Sequence, residues 1–167
     1  MSKSEDALRE AFAGESQANR TYLAFAAKAE QEGYPQAAKL FRAAAEAETV
    51  HAHNHLRALN KIMSTKQNLQ EAIDGETHEF KSMYPAMIET AKAEGNKAAE
   101  RSFHYANEVE KTHAKLYQEI LDHLGTSQAK ETYPYFVCPV CGYTAGKEAP
   151  DVCPVCGAKG KVFKKVE

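Results

Sequence analysis

"AEAETVHA", residues 45–52, and "NEVEKTHA", residues 107–114, decide the fold. Each places a glutamate three residues before a histidine: Glu48 and His51 in the first stretch, Glu110 and His113 in the second. Positions three and four apart share a helical face, so on a helix each pair aims at one spot. Both pairs also fall on apolar stripes, Glu48 beyond Phe41 and Ala45, Glu110 between Phe103 and Tyr117. A carboxylate on such a stripe is costly to desolvate unless positive charge meets it.

Working outward from the two stretches, the chain repeats itself. "AGES" at 13–16 matches "DGET" at 74–77, and "AKAEQEG" at 27–33 matches "AKAEG" at 91–95. The alignment pairs Glu15, between Phe12 and Tyr22, with Glu76, between Ile73 and Met83; they stand 33 and 34 residues upstream of Glu48 and Glu110. Helical periodicity then predicts four helices. The first runs from a Ser4 cap to Gly33, and the second from Pro35 to about Leu59 or Ile62. The third follows a capping box at Asn68 and Glu71, ends near Gly95, and is kinked near Tyr84 by Pro85. The fourth runs to Gly125. Four glutamates and two histidines then point inward, the ligand pattern of di-iron and di-manganese carboxylate bundles. A single Glu-x-x-His reads as a solvated face, whereas two stripe copies with matched upstream glutamates point to two divalent ions.

Other residues carry less. "DGETHEF" at 74–80 adds Glu79 to the Glu76 face, a further carboxylate in need of a partner. His53, His78, His104 and His123 fall off the stripe and read as exposed, while His55 lies on it. Tyr22 and Tyr84 follow Glu15 and Glu76 by seven and eight residues, and are read either as hydrogen-bond partners near the metals or as core tyrosines.

Composition divides the chain. Residues 1–125 hold no cysteine, whereas 134–167 hold all four cysteines and four of the six prolines. The expected domains are therefore a four-helix bundle over 1–125, a linker over 126–133 and a small metal domain over 134–167. "CPVCGY" at 138–143 and "CPVCGA" at 153–158 are two Cys-x-x-Cys knuckles eleven residues apart. They can place Cys138, Cys141, Cys153 and Cys156 tetrahedrally around one zinc or iron, and so short a segment needs the metal to fold. Zinc is the commoner occupant of such a ribbon. A redox bundle beside it favours iron, which carries one electron.

A net charge of −2 with 26% charged residues argues against nucleic acid or an anionic membrane as partner. Neither a secretory signal nor an 18-residue apolar run is found, which predicts a cytoplasmic protein with reduced thiols.

With "AGES", "AETVHA", "GETHEF", "MYP", "EKTHA" and both "CPVCG" knuckles in place, the sequence resembles the rubrerythrins over nearly its whole length. The resemblance implies a ferritin-like di-iron bundle followed by a rubredoxin-like domain, with three irons per chain equivalent. Glu48 and Glu110 would bridge the two irons, with Glu15 terminal on one, and Glu76 and His113 on the other. His51 and Glu79 would exchange as ligands between the diferrous and diferric states, since ferric iron prefers anionic oxygen. The implied activity is that of a peroxidase in oxidative-stress defence. It would reduce hydrogen peroxide to water with electrons relayed through the tetrathiolate iron from an NAD(P)H-linked reductase or a rubredoxin. The competing readings are ferritin-like iron oxidation and storage, and a structural module with zinc in its sites. The short connection between the second and third helices predicts a homodimer that exchanges helical hairpins.

Overall fold

The computed structural model describes residues 2–128 and 131–167; residues 129 and 130, inside the expected linker, lie outside the described residues. The chain divides into two compact units, one ending at Met63 and the other spanning Ser64–Glu167.

The first unit is an antiparallel helical hairpin, α1 (Lys3–Gln31) and α2 (Pro35–Ala58). Ser2, rather than Ser4, caps α1: its hydroxyl accepts from the Glu5 amide, and the Glu5 carboxylate accepts from the Ser2 amide at 2.9 Å. The cap therefore sits two residues earlier than Ser4 because only Ser2 has a glutamate three positions on. Gly33, at φ 80°, turns the chain, and Pro35 opens α2 with its fixed φ. Helix α2 stops at Ala58, at the early end of the expected range, because Asn60 enters the left-handed region at φ 53° and Lys61 N donates back to Leu56 O.

Small residues set the spacing of this hairpin. Ala26, Ala29, Ala38, Ala45 and Ala52 are its fully buried side chains, so the two backbones approach closely. Asn19 fixes the register by donating to Ala45 O at 2.6 Å and to Thr49 Oγ1 at 2.8 Å.

The second unit repeats the hairpin with one departure. Helix α3 (Thr65–His78) passes through a π-turn (Glu79–Met83) into α4 (Tyr84–Ala93), and α5 (Lys97–His123) returns. Ser64 and Gln67 form the capping box that opens α3, four residues before the expected Asn68 and Glu71. The proline break is a π-turn just before Tyr84: Tyr84 N donates to Glu79 O, one residue further back than in an α-helix. Pro85 has no N–H and its ring crowds the preceding turn, so the widened turn lets it serve as an early residue of α4. Gly95, at φ 69°, and an Asn96 side chain that accepts from Ala99 N start α5.

Beyond α5, β1 (Tyr135–Val137), β2 (Thr144–Gly146) and β3 (Lys164–Val166) form an antiparallel sheet in the order β2-β1-β3. The sheet carries the cysteine knuckles and lies against α5, where Gly142 faces Val109. Among the described residues, no helix is long and apolar enough to cross a membrane.

Candidate metal centres

Among the described residues, three groups of side chains able to hold a metal converge, one in the first unit and two in the second; within each group one ligand atom per residue lies within 4.8 Å of the others.

In the first unit the group is Glu15, Glu48 and His51. Asn19 lies one turn after Glu15 and reaches Ala45, one turn before Glu48, so the register bond aligns the two carboxylates. His51 Nδ1 stands 2.8 Å from Glu48 and 4.0 Å from Glu15. Its side chain is 53% exposed, against 28% for His113. Tyr22 packs against Phe41, with ring centroids 6.2 Å apart.

The matching group in the second unit is Glu76, Glu110 and His113, with His113 Nδ1 2.8 Å from Glu110 and 3.7 Å from Glu76. Burial, then hydrogen bonding to and repulsion by Glu110, push Glu76 up to about 7. Burial and the charge of Glu79 likewise raise Glu110. Carboxylates that retain protons against one another are a site in which a cation would replace the proton. Glu79 begins the π-turn, half-buried, and its charge reaches Glu76, Glu110 and Tyr84. Burial, then the Glu79 charge, raise the Tyr84 hydroxyl. Tyr117 feels the same site: burial, then Glu76 and Glu110, raise its hydroxyl. Tyr117 was legible as a neighbour, four residues after His113 on the same stripe. Of the remaining histidines, His53, His78, His104 and His123 are exposed and His55 is half-buried.

The third group is the four cysteines. Cys138 and Cys156 sulfurs stand 3.6 Å apart and Cys141 and Cys153 sulfurs 3.5 Å, close to the roughly 3.8 Å edge of a tetrahedron with 2.3 Å metal–sulfur bonds and far beyond a disulfide. Each knuckle turns at a glycine of positive φ: Gly142 (88°) donates to Cys138 O and Gly157 (76°) to Cys153 O. A side chain in that region would be strained. Burial opposes ionisation of Cys153, but the amides of Cys156 and Val155 aimed at its sulfur overcome this and bring the thiol down to about 7. Burial pushes Cys141 up. Cys153, poised to ionise beside the reluctant Cys141, suits a divalent or trivalent metal that displaces the protons.

One contact was not legible in the sequence. His113 Nε2 lies 3.0 Å from the Thr144 hydroxyl, which belongs to β2 of the cysteine module, 31 residues away. No periodicity links the two positions.

The geometry agrees with comparisons to known proteins. The Rubrerythrin family model matches residues 6–121, and the model for the rubrerythrin rubredoxin-like domain matches residues 136–164. Rubrerythrin-2 of Clostridium acetobutylicum is 42% identical over 95% of this chain and 94% of its own. The rubrerythrin of Porphyromonas gingivalis is 36% identical over 99% of this chain and 91% of its own. A fully reduced, all-ferrous nigerythrin structure superposes with a TM-score of 0.60 at 30% identity, over 99% of this chain and 88% of that one. Both domain models fall in chain order on the residues that form the helical clusters and the cysteine knuckles, and the chain belongs to the rubrerythrin family.

Proposed function

We propose that this protein is a non-haem di-iron peroxidase that reduces hydrogen peroxide to water, with electrons entering through a tetrathiolate iron. The observation that carries the reading is that one chain combines two Glu/Glu-x-x-His clusters with a four-cysteine cluster packed on α5, the helix that bears Glu110 and His113.

Bound iron would supply reducing equivalents and a Lewis-acidic seat for the O–O bond. The chain's own residues do the rest. Glu15, Glu48 and His51 would hold one ion and Glu76, Glu110 and His113 another. Glu79, which opens the π-turn, would be the anionic ligand favoured in the oxidised state, and His51 the neutral ligand favoured in the reduced one. Tyr84 and Tyr117, whose hydroxyls stay protonated at neutral pH, are available as hydrogen-bond donors beside the carboxylates. Residues 1–125 would form the catalytic bundle and 134–167 the electron-entry domain, fed by an NAD(P)H-linked reductase or a rubredoxin. Three irons per chain equivalent would fill the ligand sets, and a reducing cytoplasm would suit the four free thiols.

The assembly is a homodimer that exchanges hairpins. Helix α2 runs ten residues past Glu48, and α3 begins eleven residues before Glu76. A chain that closed its own four-helix site in the ferritin-like order would have to return roughly 31 Å along the bundle. The residues between, 59–64, reach only about 20–25 Å fully extended. The early end of α2 is offset by the early start of α3, so the shortfall persists.

The test is the visible spectrum of anaerobic, iron-loaded protein, fully reduced and then given peroxide stepwise. Thiolate-to-iron absorption that returns rapidly with peroxide and more slowly with oxygen is expected. A reduced tail untouched by peroxide would overturn the reading in favour of iron oxidation or a zinc scaffold.

A further inference from the structure

The second-unit cluster and the cysteine module meet through one hydroxyl. Thr144 opens β2, three residues after Cys141. Its Oγ1 stands 3.1 Å from the Gly142 carbonyl oxygen and 3.0 Å from His113 Nε2. A carbonyl oxygen only accepts, so the threonine donates its one proton there and accepts from its other neighbour. With the threonine proton on that carbonyl, the hydroxyl is free to accept from His113 Nε2–H; Nδ1 then faces Glu110 and Glu76, 2.8 and 3.7 Å away, as an acceptor that a cation between it and the carboxylates would satisfy. A neutral imidazole binds a cation only through its unprotonated nitrogen. Leu69, Leu116 and Ile120 line the same cavity as His113 and Thr144, and such apolar walls strengthen a hydrogen bond by keeping water from competing for it.

We propose that Thr144 is a positioning residue that the cysteine module contributes to the helical metal site: its hydroxyl holds His113 in the Nε2–H tautomer, with Nδ1 facing the metal. The inference rests on the reading of Glu76, Glu110 and His113 as metal ligands. It also gives the contact between modules a chemical role. Cys141, the Gly142 carbonyl, the Thr144 hydroxyl and the His113 imidazole form one connected path, so a shift in the first knuckle is felt at a ligand of the helical site. The Nδ1 contacts of the corresponding His51 are with Glu48 and Glu15.

The experiment uses full-length protein loaded with zinc at both kinds of site, with Thr144→Val and Thr144→Ser variants. Two-bond proton–nitrogen correlations report the His113 tautomer, and chelator competition reports zinc affinity at the helical and cysteine sites separately. The wild-type and Thr144→Ser proteins are expected to show a protected Nε2–H on His113. Thr144→Val should lose that protection and bind zinc at the helical site about 10- to 100-fold more weakly, with the cysteine site unchanged. A Thr144→Val protein with the wild-type His113 pattern and affinity would overturn the proposal. So would a Thr144→Ser protein that fails as Thr144→Val does, since packing rather than the hydroxyl would then be responsible. Zinc is redox-inert, so these readouts do not depend on peroxide: a wild-type protein that holds metal but does not reduce peroxide would overturn the functional reading and leave the role of Thr144 intact.

Discussion

Replacing Gly160 with alanine should cripple metal retention by the cysteine module without touching a ligand. A Cβ at this position would collide with the Pro150 carbonyl oxygen, and would stand 3.1 Å from the Pro150 carbonyl carbon and 3.2 Å from Asp151 Cα. Methyl-to-carbonyl contacts need about 3.3 Å or more. The obstacle is backbone, not the end of a flexible side chain, so the strands flanking the second knuckle must part. Gly160 N donates to Asp151 O at 2.7 Å, and Val152 pairs with Lys159. Separation sacrifices that bonding immediately before Cys153. Overpacking of this kind costs about 1–3 kcal/mol and a lost hydrogen bond about 1 more, or roughly 2–4 kcal/mol together. Because the module's folding is linked to its metal, the cost appears as roughly 30- to 1,000-fold weaker binding. Chelator competition on full-length protein, followed by cobalt thiolate absorption, measures it, with circular dichroism to verify that the helices persist. Gly157→Ala is the control: its φ of 76° is strained for alanine but the space around it is open, so the loss should be smaller, about 1–2 kcal/mol. Wild-type affinity in Gly160→Ala, or a larger effect at Gly157, would refute the reasoning.

Two further outcomes follow from the helical clusters. With the helical site stripped of metal and zinc kept in the cysteine module, the raised Glu76 carboxyl makes the folded state bind a proton that the unfolded state has lost. Its contribution to stability is full below about 4.5 and disappears as pH rises through about 7, so urea midpoints should fall across that window and flatten in Glu76→Gln; a wild-type curve as flat as that of the variant would contradict the assignment. For the exchanged dimer, a chain carrying Glu48→Ala and His51→Ala should complement one carrying Glu110→Ala and His113→Ala. Mixed dimers with exchanged hairpins contain one intact site, giving about a quarter of wild-type peroxidase activity after random reassociation, whereas unexchanged dimers give none.

The side chains that gather in both kinds of cluster were legible because their signals are local. A stripe of period 3.6 places Glu48 with His51 and Glu110 with His113 whatever the rest of the chain does, and the internal repeat supplies Glu15 and Glu76 as their partners. The Cys-x-x-Cys knuckles carry their own turn geometry, visible as Gly142 and Gly157 at positive φ. Caps were less legible because several polar residues compete for each helix end. Ser2 with Glu5 displaced Ser4, and Ser64 with Gln67 displaced Asn68 with Glu71, each through a reciprocal side-chain bond to the backbone.

By itself, then, the sequence determined a helical protein with paired carboxylate–histidine clusters and a four-cysteine tail, since residue type and short-range spacing suffice to gather such side chains within a hairpin or a knuckle. Pro85 announced a break in the third helix, but its form as a π-turn that opens on Glu79 depended on how the helix kept its backbone bonds around a missing N–H. The partner of His113 Nε2 lay wholly beyond sequence reading. It is a hydroxyl 31 residues away that only the packing of β2 on α5 brings within 3.0 Å.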